Sequence, residues 1–162
     1  MKLSNHSKII AVLITFSLFL GRGQVAHAIS TTADALQVVV ASLAIAKVSD
    51  LDFGSAPQGD PSKAVAPGTA EASDNASFNI TGAPSTAYTI TLPSDGTVIM
   101  QTAGGGVNKD IAVNSFSSFP SATGLLDVSG NQLLLVGATR ASLGAAQVTG
   151  SYTGSFTVTV AY

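Results

Sequence analysis

The sequence contains no cysteine and no tryptophan, and its histidines are limited to His6 and His27. Without cysteine, the chain cannot form a disulfide framework, a thiolate zinc site, an iron–sulfur cluster or a thiol nucleophile. Charged residues make up only 10% of the chain, and the formal net charge is −2. A nucleic-acid-binding surface needs clustered Lys and Arg, so we expect no nucleic-acid partner.

The first 28 residues have the features of a secretory signal peptide. Lys2 and Lys8 precede an apolar run over residues 9–20, and Ala26-His27-Ala28 matches the A-x-A cleavage pattern. The run is shorter than the ~20 residues that a membrane-spanning helix needs. We therefore expect cleavage after this motif, followed by a single domain over residues 29–162 without stable membrane insertion. The product would be in the periplasm, on the cell surface or outside the cell.

The chain beyond the signal follows the two-residue period of β-strands rather than the period of a helix. Short runs rich in Val, Ile and Thr alternate with clusters of Gly, Pro, Ser and Asn, which is typical of sandwiches. The pattern predicts an all-β fold, an immunoglobulin-like antiparallel β-sandwich of about seven to eight strands in a single domain.

The predicted strands differ in how clearly they are bounded. The first strand is predicted over residues 36–48, and the last over residues 148–162. Residues 76–81 and 86–92 are expected to pair as a hairpin around the intervening Gly and Pro. Further strands are predicted over residues 63–66, 97–101, 110–116 and 133–136.

Two predicted strands carry the candidate assembly residues. The first is apolar on both faces, which is typical of a strand that is buried on both sides or paired with another chain. The last alternates large apolar residues with small polar ones. We therefore take as candidates for assembly with another chain Val38, Val40, Phe156, Val158, Val160 and Tyr162.

Catalytic motifs are missing from the sequence after the signal. Without His or Cys, neither a Ser-His-Asp nor a Cys-His system can be built. No lysine of this part follows a serine by three residues, and Gly104-Gly105-Gly106 lacks the spacing of a phosphate-binding loop. We expect no catalytic residue, no cofactor and no enzymatic activity.

Asp50 and Asp52 are the candidates for a metal site. Residues two apart on an extended chain point to the same side, so two carboxylates there can share a calcium ion. A glycosidase-like pair is a further alternative, although such carboxylates usually come from separate segments. The favoured interpretation is that the Asp and Gly residues of this stretch end a strand and form a turn.

Several motifs together resemble the bacterial domain-of-unknown-function 4402 family. They are Leu51-Asp52-Phe53-Gly54 after the first strand, residues 76–82 and 87–93, Val136-Gly137, and residues 150–162. The resemblance covers nearly all of the chain after the signal. It implies a secreted β-sandwich with no assigned activity. The family usually has a second glycine and an apolar residue where this chain has Ala138 and Arg140.

The chain is also distantly similar to archaic chaperone–usher pilin subunits. The shared features are an apolar N-terminal extension, an L-x-F-G-like turn and an alternating last strand that ends near Tyr. In such subunits a neighbour's N-terminal strand fills an incomplete fold. The resemblance implies a non-enzymatic cell-surface structural protein. In it, residues 29–42 would form a donor-strand-like N-terminal extension, with residues 31–41 as the donor. Its partners would be copies of itself and a periplasmic chaperone. This chain lacks the disulfide that many pilins carry.

Two alternative functions remain open from the sequence. The aromatic last residue after an alternating strand is also found in small outer-membrane β-barrels, although the aromatic girdles of such barrels are missing. A secreted module that binds a ligand or a carbohydrate would need exposed aromatic rings. Phe116 and Phe119 either form such a surface or cap the edge of the sandwich.

Overall fold

A computed structural model describes residues 28–104 and 106–162 of the chain. Apart from Ala28, the predicted export signal lies outside the described residues. The chain divides into two units, one that ends at Val38 and one that begins at Val39. In the first unit, residues 28–38 contain no strand, and their side chains are exposed. All strands of the described chain lie in the second unit.

The second unit is an antiparallel β-sandwich, which confirms the predicted fold class. The strands are β1 Ala44–Ser49, β2 Lys63–Val65, β3 Ala76–Thr81, β4 Ala87–Thr91, β5 Val98–Thr102, β6 Asp110–Phe119, β7 Thr123–Leu125, β8 Asn131–Arg140, β9 Tyr152–Thr153 and β10 Thr159–Ala161. The larger sheet has the order β1-β3-β8-β6-β5-β9, with β2 also paired to β8, and the smaller sheet has the order β10-β4-β7. Neither helix nor parallel strand pair occurs in the described residues.

The core lies between the sheets and consists of two apolar clusters. Alternate residues of β3 and β8 face inward because successive side chains of a strand point to opposite faces. The first cluster contains Ala76, Ile80, Tyr88, Leu126, Leu134 and Val136. The second contains Phe53, Val65, Val98, Val113 and Ala138. Burial raises the pKa of the Tyr88 hydroxyl above its ordinary value, because desolvation disfavours the charged form.

The predicted hairpin between residues 76–81 and 86–92 is wrong, because the two strands lie in different sheets. β3 pairs with β1 and β8, whereas β4 pairs with β10 and β7. The connection between them is held by the loop before β8: the Gly82 amide donates to the Gly130 carbonyl, and the Ser85 amide donates to the Asp127 carbonyl, both at 2.9 Å. A short loop containing Gly and Pro suits a crossing between sheets as well as a hairpin.

The first strand is shorter than predicted. It begins at Ala44, and residues 36–43 belong to no strand. Ala44 pairs with Thr81, the last residue of β3, so the partner strand ends where β1 begins. Apolar sequence alone therefore does not extend the strand, because pairing needs a partner backbone beside it.

The predicted last strand is divided between the two sheets. β9 pairs with β5 in the larger sheet, and β10 pairs with β4 in the smaller one. The division follows Gly154, where a Cβ would lie 2.5 Å from the Ile99 carbonyl oxygen. Only glycine allows this close backbone approach. This division and the unpredicted β7 explain why the described chain has more strands than expected.

Candidate functional site

The edge strands β1 and β10 lie close together at one end of the sandwich. The Tyr162 hydroxyl accepts a hydrogen bond from the Ala83 amide at 2.6 Å and donates one to the Ala41 carbonyl at 3.2 Å. Tyr162 follows β10 directly, and Ala41 lies just before β1. Each of the two strands pairs on one side only, β1 with β3 and β10 with β4. Unpaired strand edges offer their backbone groups to another strand.

The two edges run in opposite directions. At the Tyr162 end, β10 ends and β1 is about to begin, since the hydroxyl reaches Ala41. At the other end, the Phe156 ring contacts the Phe78 ring edge-on with centroids 6.3 Å apart, and Phe78 pairs with Lys47 in the second half of β1. From these contacts we infer that the edges bound a groove, which we call the edge groove. Its walls are Leu43 and Ile45 on the β1 side and Phe156, Val158 and Val160 on the β10 side.

The edge groove exposes part of the apolar core. Leu43, Phe156, Val158 and Val160 are only partly buried although they pack against the first cluster. Ile45 pairs with the fully buried Ile80 and so faces the core, yet 38% of its surface is exposed. No residue of β1 is fully buried. The apolar core of the sandwich is thus incompletely covered along the edge groove.

The backbone along the groove is also unpaired. Residues 156–158, which lead into β10, belong to no strand. Among the backbone hydrogen bonds found outside the ladders in the described chain, none involves these residues. Backbone amides and carbonyls are obligatory hydrogen-bonding groups, so this stretch is chemically suited to pairing with an added strand.

The structure brings together most of the predicted assembly residues. Phe156, Val158, Val160 and Tyr162 follow one another along the β10 side of the edge groove. Val38 and Val40 belong to no strand, and their exposed fractions are 87% and 60%. Leu43 and Ile45, on the β1 side of the edge groove, were not predicted as assembly residues. They alternate as in a strand, but no sequence signal places them at an open edge.

Asp50 and Asp52 each have a structural partner. Asp50 accepts an ion-paired hydrogen bond from Lys47 Nζ at 2.6 Å, and both side chains are mostly exposed. Asp52 Oδ1 accepts a hydrogen bond from the Gly54 amide at 2.7 Å, and Gly54 has a positive φ of 66°. This side-chain-to-backbone bond is the pattern of an Asx turn. In the described residues, no group of three or more His, Cys, Asp or Glu side chains is arranged to hold a metal ion.

We expect Asp50→Ala and Asp52→Ala to change stability only slightly and calcium affinity not at all. Loss of the exposed ion pair costs at most about 1 kcal/mol, and loss of the turn hydrogen bond costs about 1 kcal/mol. Thermal unfolding with and without millimolar calcium measures both effects. Calcium stabilisation of the unmodified protein that disappears in either variant would instead establish the calcium site.

A second concave region lies between two loops on the side of the sandwich at β5. This cavity of about 630 Å³ is lined by residues 51–58 and 147–152, with Met100 and Arg140 among its other lining residues. Its volume suits a small ligand. Gln58 Nε2 donates to the Gln147 carbonyl and so joins the two loops, and Gln147 Nε2 donates to Tyr152 Oη at 3.0 Å. Arg140 Nε is buried and has no hydrogen-bond partner within the described residues.

The aromatic residues considered for ligand binding do not form a common exposed surface. The Phe116 ring packs on Phe156 with centroids 5.1 Å apart and contacts both apolar clusters. Phe119 is more exposed than Phe116. The structure therefore does not favour a carbohydrate platform at these residues.

The geometry defines a class of protein, an antiparallel sandwich whose core is open between two edge strands. A family model described as "Domain of unknown function (DUF4402)" matches residues 43–162, and the chain belongs to this family. The match begins at Leu43, the first residue of the edge groove. No curated protein and no solved structure matches the chain. The pilin likeness is not confirmed by these comparisons and stays a prediction. Within the described residues, no helix has the length and apolar character needed to cross a membrane.

Proposed function

We propose that this protein is a non-enzymatic, exported structural subunit of the cell surface that assembles with copies of itself by strand donation. The observation that carries the proposal is the edge groove, in which core side chains and a strand edge are left open together. The signal-like residues 1–28 support export.

The N-terminal extension has the properties of a strand that fits this groove. Leu36, Val38 and Val40 alternate along the chain and are largely exposed. The β10 side of the groove also presents three alternate apolar residues, Phe156, Val158 and Val160. Alternate residues of a strand are ~6.5–7 Å apart, so the three apolar residues of the extension span the same distance as the three of the groove.

Insertion of the extension removes apolar surface from water on both partners. Each large apolar side chain that becomes fully buried contributes about 1.5–3 kcal/mol. The inserted backbone also pairs with the free edge of β10, which extends the smaller sheet to donor-β10-β4-β7. Strand addition of this kind derives affinity from the backbone and specificity from alternate side chains.

An open groove must be protected before assembly. Exposed apolar strand edges pair non-specifically and cause aggregation. A periplasmic chaperone that covers β10 until a second copy arrives therefore belongs to the proposal. Lys47 pairs with Phe78 and therefore lies on the core-facing side of β1. A charged side chain at this position of an edge strand discourages pairing with a wrong strand.

The proposal is tested with two valine substitutions in the extension. Val38 and Val39 are 87% and 84% exposed, so replacing either by Asp leaves the sandwich intact. They point to opposite sides of an extended strand, and only Val38 shares a side with Leu36 and Val40. We expect the unmodified protein and Val39→Asp to form linear oligomers and Val38→Asp to stay monomeric.

Size-exclusion chromatography with light scattering, followed by electron microscopy, gives the measurement. A synthetic peptide of residues 31–41 should stabilise a variant that lacks residues 29–41, and the same peptide with Asp in place of Val38 should not. A full chain that stays a single monomeric species at all concentrations would contradict strand donation.

A further inference from the structure

We propose that the cavity beside β5 binds a neutral saccharide, with Arg140 donating a hydrogen bond to it and Asp52 accepting one from it. We call it the loop cavity, because residues 51–58 and 147–152 line it. The proposal goes beyond the structural role of the subunit, since the loop cavity shares no residue with the edge groove.

The loop cavity exists because the smaller sheet covers only part of the larger one. The first core cluster contains Tyr88 of β4, whereas the second cluster has no member from β4, β7 or β10 in the described chain. Over this part of the larger sheet, the two loops take the place of strands. Three strands of the larger sheet each turn one lining residue toward the core side, two positions from a member of the second cluster: Met100, Ile111 and Arg140. The cavity is therefore a continuation of the sandwich interior.

Arg140 brings an unpaired donor to this space. Its side chain is only 4% exposed, and its Nη atoms donate to Asp60 and to the carbonyls of Pro61 and Ala141. Its Nε is buried without a hydrogen-bond partner in the described residues. A buried donor without a partner is costly, so an acceptor atom in the cavity is favoured. Nε is covered in the free chain, and the side chain shifts toward the cavity when the bond forms.

Asp52 brings an acceptor to the same space. Its Oδ1 accepts a hydrogen bond from the Gly54 amide at 2.7 Å, and the residue is exposed. An ionised carboxylate has about four lone-pair sites, so this bond leaves it able to accept from a bound hydroxyl group. Such a bond is charge-assisted and therefore stronger than one between neutral groups.

The charges of the lining favour an uncharged molecule. Asp52 and Arg140 are the charged residues that line the cavity, and Arg140 is already paired with Asp60. An anion would meet two carboxylates beside one neutralised cation, whereas a cation would offer no acceptor to Arg140. A wholly apolar molecule would cover both polar side chains without bonding to them, which costs free energy.

A saccharide matches the rest of the lining. Half-buried apolar side chains form part of the walls, among them Leu51, Met100 and the Tyr152 ring. A sugar ring presents C–H groups to such walls, and each of its hydroxyls both donates and accepts. One molecule can therefore accept from Arg140 and donate to Asp52. The volume of about 630 Å³ lies within the ~300–1,000 Å³ of small-molecule sites, so we expect a mono- or disaccharide.

Binding is measured on the full chain with a fixed set of probes. The neutral probes are glucose, galactose, mannose, N-acetylglucosamine and maltose, and the charged comparators are glucuronate and leucine. Isothermal titration calorimetry at millimolar probe gives the affinities, and hydrogen exchange with mass spectrometry locates the amides that become protected. Both measurements apply to monomers and to oligomers, so the result is independent of strand donation.

Two substitutions remove the proposed hydrogen bonds one at a time. Asp52→Asn keeps an oxygen that can accept from the Gly54 amide, but it replaces the other carboxylate oxygen with a donor. Arg140→Met removes the guanidinium group. Asp50→Asn is the matched control, because Asp50 is a mostly exposed carboxylate two residues away that does not line the cavity. Protection of β3 and β8 from exchange shows whether each variant is folded.

We expect at least one neutral probe to bind and to protect residues 51–58 and 147–152. Asp52→Asn and Arg140→Met should each weaken binding about tenfold, as for the loss of a hydrogen bond to a charged group, and Asp50→Asn should not. The inference is wrong if no neutral probe protects both loops, or if Asp52→Asn binds as tightly as the control. It is also wrong if glucuronate or leucine binds there more tightly than every sugar. Should Arg140→Met fail to fold, Asp52→Asn decides the outcome alone.

Discussion

Val136→Asp is expected to abolish folding, whereas Val128→Asp leaves the structure unchanged. Val136 is completely buried in the middle of β8, where it pairs with Ala76 on one side and Ser118 on the other. Its side chain belongs to the first core cluster, which is apolar apart from the Tyr88 hydroxyl and contains no cation to neutralise a carboxylate. The penalty for an unpaired buried charge is comparable to the whole ~5–15 kcal/mol that stabilises a domain.

Val128 provides a matched control for this substitution because it is 85% exposed. The same change of residue there alters charge and β-propensity without placing a charge in the core. Far-ultraviolet circular dichroism and urea unfolding measure both variants. A cooperative unfolding transition for Val136→Asp near that of the unmodified protein would show that the core is not packed as described.

Asp60→Asn is expected to destabilise the sandwich more than Arg140→Met, although each variant removes one partner of the same ion pair. Arg140 Nη2 lies 2.6 Å from Asp60 Oδ2, and the side-chain exposures are 4% for Arg140 and 31% for Asp60. Arg140 also donates to the carbonyls of Pro61 and Ala141, and its Nε has no partner within the described residues. The cation is thus the buried member of the pair.

The asymmetry follows from what each substitution leaves behind. Asp60→Asn leaves a buried guanidinium without a counter-charge, and breaking a buried pair in this way costs about 3–5 kcal/mol. Arg140→Met keeps most of the apolar stem and leaves a carboxylate that reaches water, so about 1–2 kcal/mol is expected from the lost hydrogen bonds.

Urea unfolding of the two single variants and the double variant gives the comparison. Arg140→Met introduced into Asp60→Asn should restore stability, because it removes the unpaired charge. Equal destabilisation by the two single variants, or a double variant no more stable than Asp60→Asn, would contradict the buried-cation explanation.

The sequence predicted the strands with unequal accuracy. β3 was predicted over its observed span, 76–81, whereas β8, which also lies between two strands, was predicted over 133–136 and spans Asn131–Arg140. The first strand was predicted too long, since residues 36–43 have the same apolar character but lack a partner. Alternation therefore indicates a tendency to pair, and the available partner decides where pairing stops.

The candidate site was predictable in part. Phe156, Val158, Val160 and Tyr162 were recognised from their alternation in the last strand. Their position at an open edge depends on the division of that strand at Gly154, which moves its second half to the smaller sheet. Arg140 and Asp60 are 80 residues apart, and no local pattern joins them.

The sequence by itself determined the all-β class, the absence of thiol and imidazole groups after residue 28, and the apolar character of residues 36–40. These follow from composition and from the two-residue period, which are local properties of the chain. Only the tertiary structure decided that β3 and β4 lie in different sheets, that β1 and β10 bound a groove, and that the Tyr162 hydroxyl bonds to the Ala41 carbonyl. Strand periodicity reports which face of a strand is buried but not which strand lies beside it, because pairing depends on residues far apart in the chain.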